Sequence, residues 1–208
     1  MNDSPRHVAL VLAAGGSRRL GQPKQLLKRD GETLLHRACR LALETSPQRV
    51  LLVTGAGEAD MLAAVADLPV EAIHNASWER GLASSLAVAA KHLPDDHTPL
   101  LILGCDQPAL SVDHLLQLMA ASAQAKVAMH DELCCAATGY IEAVGMPAVV
   151  PAAMLRRAVT VGDIGLRKAL NRLPPEQCPV VRAPELALDI DTIDNLQRAR
   201  AYGLIDRD

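Results

Sequence analysis

Residues 8–13, VALVLA, run without a charge into Gly15, Gly16, Ser17, Arg18 and Arg19, followed by Gly21, Pro23 and Lys24. A short valine- and leucine-rich run ended by a glycine pair reads as a strand buried on both faces, the kind found in parallel sheets under helices. Such a strand delivers bare backbone N–H groups to the carboxyl edge of the sheet. There they suit phosphate oxygens or the edge of a base. The basic side chains of the same loop add the positive charge that a triphosphate requires. The string is not a GxxxxGK[ST] phosphate loop, nor a GxGxxG dinucleotide fingerprint. An ordinary surface turn with solvated arginines is the alternative reading of these residues alone.

The strand–helix alternation continues. ETLLHRACRLALET (32–45) places Leu34, Leu35, Ala38, Leu41 and Ala42 at helical spacing. Strands are expected at 49–54, 69–73 and 99–104, with helices at 58–67, 81–92 and about 111–124. This order predicts a parallel sheet covered on both faces. Two β-like runs around Gly139 and Gly145 suggest a small antiparallel excursion. Helical patterns return at 151–159, 163–172 and 192–203, and the proline-rich stretch 174–184 reads as a loop. At 208 residues and 50% apolar, the chain is read as a single domain, 1–208.

Composition excludes several functions. A net charge of -3 gives no basic field for nucleic acid, and with no Phe, one Trp and two Tyr there is no stacking platform for single strands. The five cysteines fit neither a zinc site nor a disulfide framework and read as buried, inert thiols. The seven histidines show no metal-ligand spacing. No apolar run reaches the roughly 18 residues of a membrane span and no signal peptide is visible, so no membrane role and a cytoplasmic location are expected.

Carboxylates recur where strands end. Asp106 follows PLLILGC, on the same sheet edge as the glycine loop, and can hold Mg²⁺ bridging phosphates. As a residue before Gln107-Pro108 it can equally be a turn former. Asp189 and Asp191, two apart after a short apolar run, would face one side of a strand. Either Asp191 or Thr192 can cap the helix that follows. Gly81 opens a helix whose first turn holds Ser84 and Ser85, where free N–H groups and hydroxyls suit a nucleotide; serine capping is the simpler alternative. Trp78 reads as a packing anchor or pocket wall.

These strings resemble the MobA-like nucleotidyltransferases, and within them the molybdenum cofactor cytidylyltransferase branch. The pattern LAAGxSxRxGxPKxLL is matched by Leu12-Ala13-Ala14-Gly15, Ser17, Arg19, Gly21, Pro23, Lys24 and Leu26-Leu27. GCDQP is similar to the family's metal-binding DxP element, and DIDTIDNL to its DIDTPEDL, with Ile193 for proline. HNASWERGLASSL is similar to NPxWxxGMxxSL, with Ala76 for proline. YIEAVGMP is similar to YxGxxGxP, with Glu142 for the first glycine. VGDIGLRKAL is similar to the GDKGAR segment.

The resemblance implies a Rossmann-like three-layer α/β/α nucleotidyltransferase fold, with a nucleotide-binding part at about 7–110 and an acceptor-binding part at about 111–208. It implies nucleotide contacts at Leu12, Ala13, Ala14, Gly15, Gly16, Ser17, Lys24, Asn75, Gly81 and Ser85. Acceptor contacts are implied at Gly145, Pro147, Asp163 and Arg167. Arg19, Lys24 and Asp106 would be catalytic, with Mg²⁺ on Asp106 and on Asp189 or Asp191. The implied reaction moves CMP from CTP to molybdenum-bound molybdopterin, releasing pyrophosphate. CTP is implied over GTP because cytidylyl-type relatives tend to carry LAAG where guanylyl-type relatives carry LAGG. A GTP-using enzyme and other acceptors, a sugar phosphate or methylerythritol phosphate, remain alternatives. So does delivery of finished cofactor to a recipient molybdoenzyme or its chaperone.

Overall fold

In the computed structural model, which describes residues 6–93, 97–141, 143–158 and 165–207, the alternation along the first strand sets the layers. β1 (Val8–Leu12) sends Ala9 and Val11 into one apolar cluster and Val8 and Leu10 into another, because successive strand side chains point to opposite faces. β4 (Arg49–Thr54) and β6 (Pro99–Gly104) flank it and divide their residues the same way. Each of these buried leucines and valines stabilises the fold by roughly 1.5–3 kcal/mol.

β5 (Glu71–His74) extends the sheet beyond β4, and β8 (Val144–Pro151), β7 (Ala136–Gly139) and β9 (Val180–Arg182) extend it beyond β6. The order is β5-β4-β1-β6-β8-β7-β9. β5, β4, β1 and β6 are mutually parallel, and β8 alone runs antiparallel to both its neighbours. The expected α/β class, with a mostly parallel sheet and a small antiparallel part, is the observed one.

Helices cover both faces. α1 (Leu34–Glu44) and α4 (Val112–Met129) pack on the Ala9/Val11 side, with Met61 of α2 (Glu58–Ala64). α3 (Leu82–Ala90), α5 (Ala152–Ala158) and α6 (Gly165–Leu170) cover the Val8/Leu10 side. A third cluster joins Leu196 and Ala199 of α7 (Ile193–Ala201) to Leu20, Leu27, Leu34 and Ile190. It is this cluster that brings the C-terminal carboxylates against the N-terminal loop. Among the described residues no helix is long and apolar enough to cross a membrane. All five cysteines are free and buried, as expected, and burial pushes the Cys39 thiol up to about 12.

Several boundaries differ from expectation. Residues 28–33 form a hairpin, β2 (Lys28–Arg29) and β3 (Glu32–Thr33), so α1 starts at Leu34 rather than 32. Asp30 and Gly31 turn it with φ of 54° and 79°, a conformation that asparagine, aspartate and glycine tolerate best. The stretch 174–184 is not all loop, because β9 pairs there with β7. α4 runs on to Met129 and α2 stops at Ala64. The start of the helix expected at 163–172 lies outside the described residues.

Candidate functional site

The carboxyl ends of β1 and β6 open on a cavity of about 720 Å³. Its walls are the first loop (Leu12 to Gly15, Lys24, Gln25), Asp106 and Gln107 after β6, and Gly81 and Ser85 at the start of α3. Trp78, Tyr140, Gly145, Arg167 and Asp189 complete it. The sheet edge therefore brings together most of the residues singled out from sequence.

At one side of the cavity sits a charged cluster. Lys24 Nζ donates to Asp106 Oδ2 at 2.7 Å and to Asp191 Oδ1 at 2.6 Å. Arg19 Nη2 donates to the other Asp191 oxygen at 2.9 Å, its own side chain largely exposed. Burial alone would lower the Lys24 value, but Asp106 and Asp191 outweigh it and hold the ammonium charged well above its usual range. Burial would likewise raise Asp191, yet Lys24 and Arg19 keep it below the ordinary carboxylate value.

Asp189 behaves differently: burial, reinforced by the nearby Asp106 charge, pushes it up to about 7. Their spacing predicts one face of a strand, but the structure places the two carboxylates outside any strand. They flank Ile190, which is buried in the third cluster and whose N–H donates to the Asp106 carbonyl at 2.9 Å. Thr192, not Asp191, caps α7: its hydroxyl accepts from the Asn195 N–H at 3.2 Å. Asp191 is thereby left to the charged cluster.

The glycine loop is fixed through its carbonyls. Gln25, buried on the turn Lys24–Leu26, donates from Nε2 to the Ala13 carbonyl at 2.9 Å and the Gly15 carbonyl at 2.6 Å. The Ala14 carbonyl accepts from Ala56 N–H at 3.1 Å. Sequence reasoning did not single out Gln25, since a glutamine beside two leucines gives no signal of what it will face.

Gly16 sits not on the cavity but against Trp78, where a Cβ would come within 2.8 Å of the ring. Arg18 lies 5.5 Å from the same ring and pairs with Glu79. Trp78 is thus both packing anchor and pocket wall. Ser17 also lies off the cavity; its hydroxyl accepts from the Lys24 N–H at 3.1 Å and donates to Gln25 Oε1 at 3.3 Å.

Asn75 is fully buried and does not reach the cavity. Its amide donates to the hydroxyls of Ser84 and Ser85 at 2.8 and 3.0 Å, and its carbonyl accepts from Ser77 N–H. Neither serine caps α3; Gly81 holds that position without a side-chain bond. On the far wall, Gln107 Nε2 donates to Tyr140 Oη at 2.9 Å and to the Leu186 carbonyl at 3.0 Å. Gly145 lines the cavity, whereas Pro147, after a cis peptide bond, is buried in β8 behind it. Arg167 lines the rim, and Asp163 lies outside the described residues.

Among the described residues no three His, Cys, Asp or Glu side chains are grouped to hold a metal by themselves. Two carboxylates within 2.7 Å of one ammonium do form an all-oxygen donor pair. Such a pair fits a hard cation that takes its remaining ligands from water and phosphates, as Mg²⁺ does.

Comparison with known proteins places these residues in a family. A profile for the MobA-like NTP transferase domain matches residues 9–178. The bifunctional protein GlmU of Halorhodospira halophila is 34% identical over 118 residues, 56% of this chain and 24% of that protein. A probable molybdenum cofactor guanylyltransferase of Synechococcus elongatus is 33% identical over 106 residues, 50% of this chain and 52% of that protein. The chain thus spans about a quarter to a half of the length of these relatives. A Methanothermobacter nucleotidyl transferase shares the fold, with a TM-score of 0.77 over 96% of this chain and 98% of its own, at 23% identity. The fold is shared too by Rv0371c of Mycobacterium tuberculosis, solved in complex with manganese, with a TM-score of 0.66, 23% identity and coverage of 93% and 97%. The chain belongs to the MobA-like NTP transferase domain family.

Proposed function

We propose that the chain transfers CMP from CTP to molybdenum-bound molybdopterin, giving the cytosine dinucleotide cofactor and pyrophosphate. The observation that carries the transfer reaction is the cluster of Lys24, Asp106 and Asp191 at a cavity walled by the glycine loop. Residues of about 7–110 would take the nucleotide and those of about 111–208 the acceptor, which would enter beside Gly145 and Arg167. Asp163 is proposed for the acceptor on the family resemblance alone.

An acceptor phosphate oxygen attacks the α-phosphorus in line with the departing pyrophosphate. A phosphate monoester is largely dianionic at pH 7, so no strong general base is required. The work left to the protein is positioning and charge neutralisation. Amide groups of Ala14 and Gly15 receive phosphate or base, and Lys24 and Arg19 offset the charge of the triphosphate and leaving group. Asp106, with Asp191 or Asp189, would hold Mg²⁺, which when bound neutralises charge on the reacting phosphates. The manganese complex of the mycobacterial structure supports a divalent ion in this fold.

The choice of CTP rests on Ala14 within Leu12-Ala13-Ala14-Gly15. A side-chain methyl there restricts the backbone beside the base. The Synechococcus relative, named as a guanylyltransferase, favours GTP as the second reading. Pyrophosphate release from CTP plus the pterin acceptor tests the proposal; a pure carrier of finished cofactor releases none.

A further inference from the structure

The first loop carries a device that the transfer reaction leaves unexplained. Four successive carbonyls are turned onto partners within the chain. Leu12 accepts from the Cys105 thiol at 3.7 Å, Ala13 and Gly15 from the two hydrogens of Gln25 Nε2, and Ala14 from the Ala56 N–H. The N–H groups of Ala14 and Gly15, both on the cavity wall, donate to nothing in the described chain. A stretch whose carbonyls at 12–15 are tied off while its cavity-facing donors stay open is an anion receptor. Carbonyl oxygens only accept, so the Gln25 amide must present its nitrogen to them and its oxygen to the Ser17 hydroxyl, at 3.3 Å. Gln25 is 1% exposed, and its amide has a partner at both ends.

We infer that Gln25 is a positioning residue for the polyphosphate: it pins the Ala13 and Gly15 carbonyls so that the neighbouring N–H groups stay free for phosphate oxygens. Without it, a carbonyl of this glycine pair can rotate toward the ligand and repel it. The inference rests on the nucleotide-binding reading of the site.

Inorganic tripolyphosphate and CTP serve as probes, with binding followed by calorimetry on wild type and Gln25→Met. Methionine keeps length and volume but donates no hydrogen bond. The expected result is binding of both probes weakened by about tenfold or more, at temperatures where the variant is folded by circular dichroism. A merely structural glutamine would lower the melting temperature and leave both dissociation constants at wild-type values, and that result overturns the inference. If Gln25→Met does not fold, Ser17→Ala, which releases the oxygen end of the amide, carries the test. Tripolyphosphate binding weaker by about threefold is then expected, and wild-type affinity overturns it. Wild type that binds neither probe refutes the nucleotide reading itself, and the inference with it; wild type that binds beside an unaffected variant refutes the inference alone.

Discussion

Lys24 Nζ stands 2.7 Å from Asp106 Oδ2, joining the loop after β1 to the end of β6 across 82 residues of sequence. The same ammonium reaches Asp191, so one cation holds together two carboxylates that would otherwise repel. A cation between two carboxylates occupies the kind of position a divalent metal takes.

From that contact comes a prediction about metal affinity. Lys24→Met should bind Mn²⁺ in the absence of nucleotide more tightly than wild type, by about fivefold or more, because an adjacent competing charge is gone. The same variant should bind CTP more weakly, having lost a phosphate partner. Electron paramagnetic resonance of free Mn²⁺ measures the first, calorimetry the second. Mn²⁺ affinity unchanged or reduced in the variant contradicts the arrangement.

Asp106→Asn is expected to lower kcat by about a hundredfold or more while the far-ultraviolet circular dichroism stays that of wild type, since a lost charge at a reacting phosphate costs several kcal/mol in the barrier. Steady-state pyrophosphate release at saturating Mg²⁺ checks this. A folded variant with wild-type kcat would remove Asp106 from the metal site.

Asp189 makes stability depend on pH. Its folded value is raised to about 7, against about 3.9 in an unfolded chain. The folded state therefore binds the proton more tightly. The contribution is fully present below about pH 4 and is lost as pH rises through about 7. Melting temperatures of the metal-free, nucleotide-free protein should fall across this window relative to Asp189→Asn. Parallel profiles for the two proteins would show that Asp189 titrates normally.

Gly16→Ala puts a methyl group within 2.8 Å of the Trp78 ring. Overpacking of this kind costs about 1–3 kcal/mol. Trp78 is the only tryptophan, so its fluorescence reports both the loss, in a denaturant titration, and nucleotide entering the cavity it lines. A variant with wild-type midpoint and spectrum would mean the loop yields without moving the ring.

What could be read from sequence was local. VALVLA, RVLLVT and PLLILG declare buried parallel strands because both faces are apolar, and they fix the edge where a ligand binds. Asp106 and Lys24 could be placed at that edge, but their contact could not, since it depends on the register of two strands. The Asp30-Gly31 pair is a hairpin signal in its own right, masked by the helical spacing that begins at Leu34. β9 is short, proline-flanked and, among the described residues, paired only with β7, so its residues alone look like loop. Asp189 and Asp191 meet the site because Ile190, Leu196 and Ala199 pack on Leu20 and Leu27, a long-range contact with no periodicity to announce it. Gln25 acts through backbone carbonyls, which the residue letters do not reveal.

The most direct test of the central claim is kcat/KM for CTP and for GTP, each with molybdenum-bound molybdopterin as acceptor, followed by release of pyrophosphate. Cytosine and guanine present different donor and acceptor patterns, and unpaired polar groups opposite the wrong base suffice for at least about tenfold discrimination. The account predicts acceptor-dependent pyrophosphate release with CTP preferred by that margin, and a preference that shrinks in Ala14→Gly. No release with either nucleotide, or values equal or higher for GTP, would contradict it.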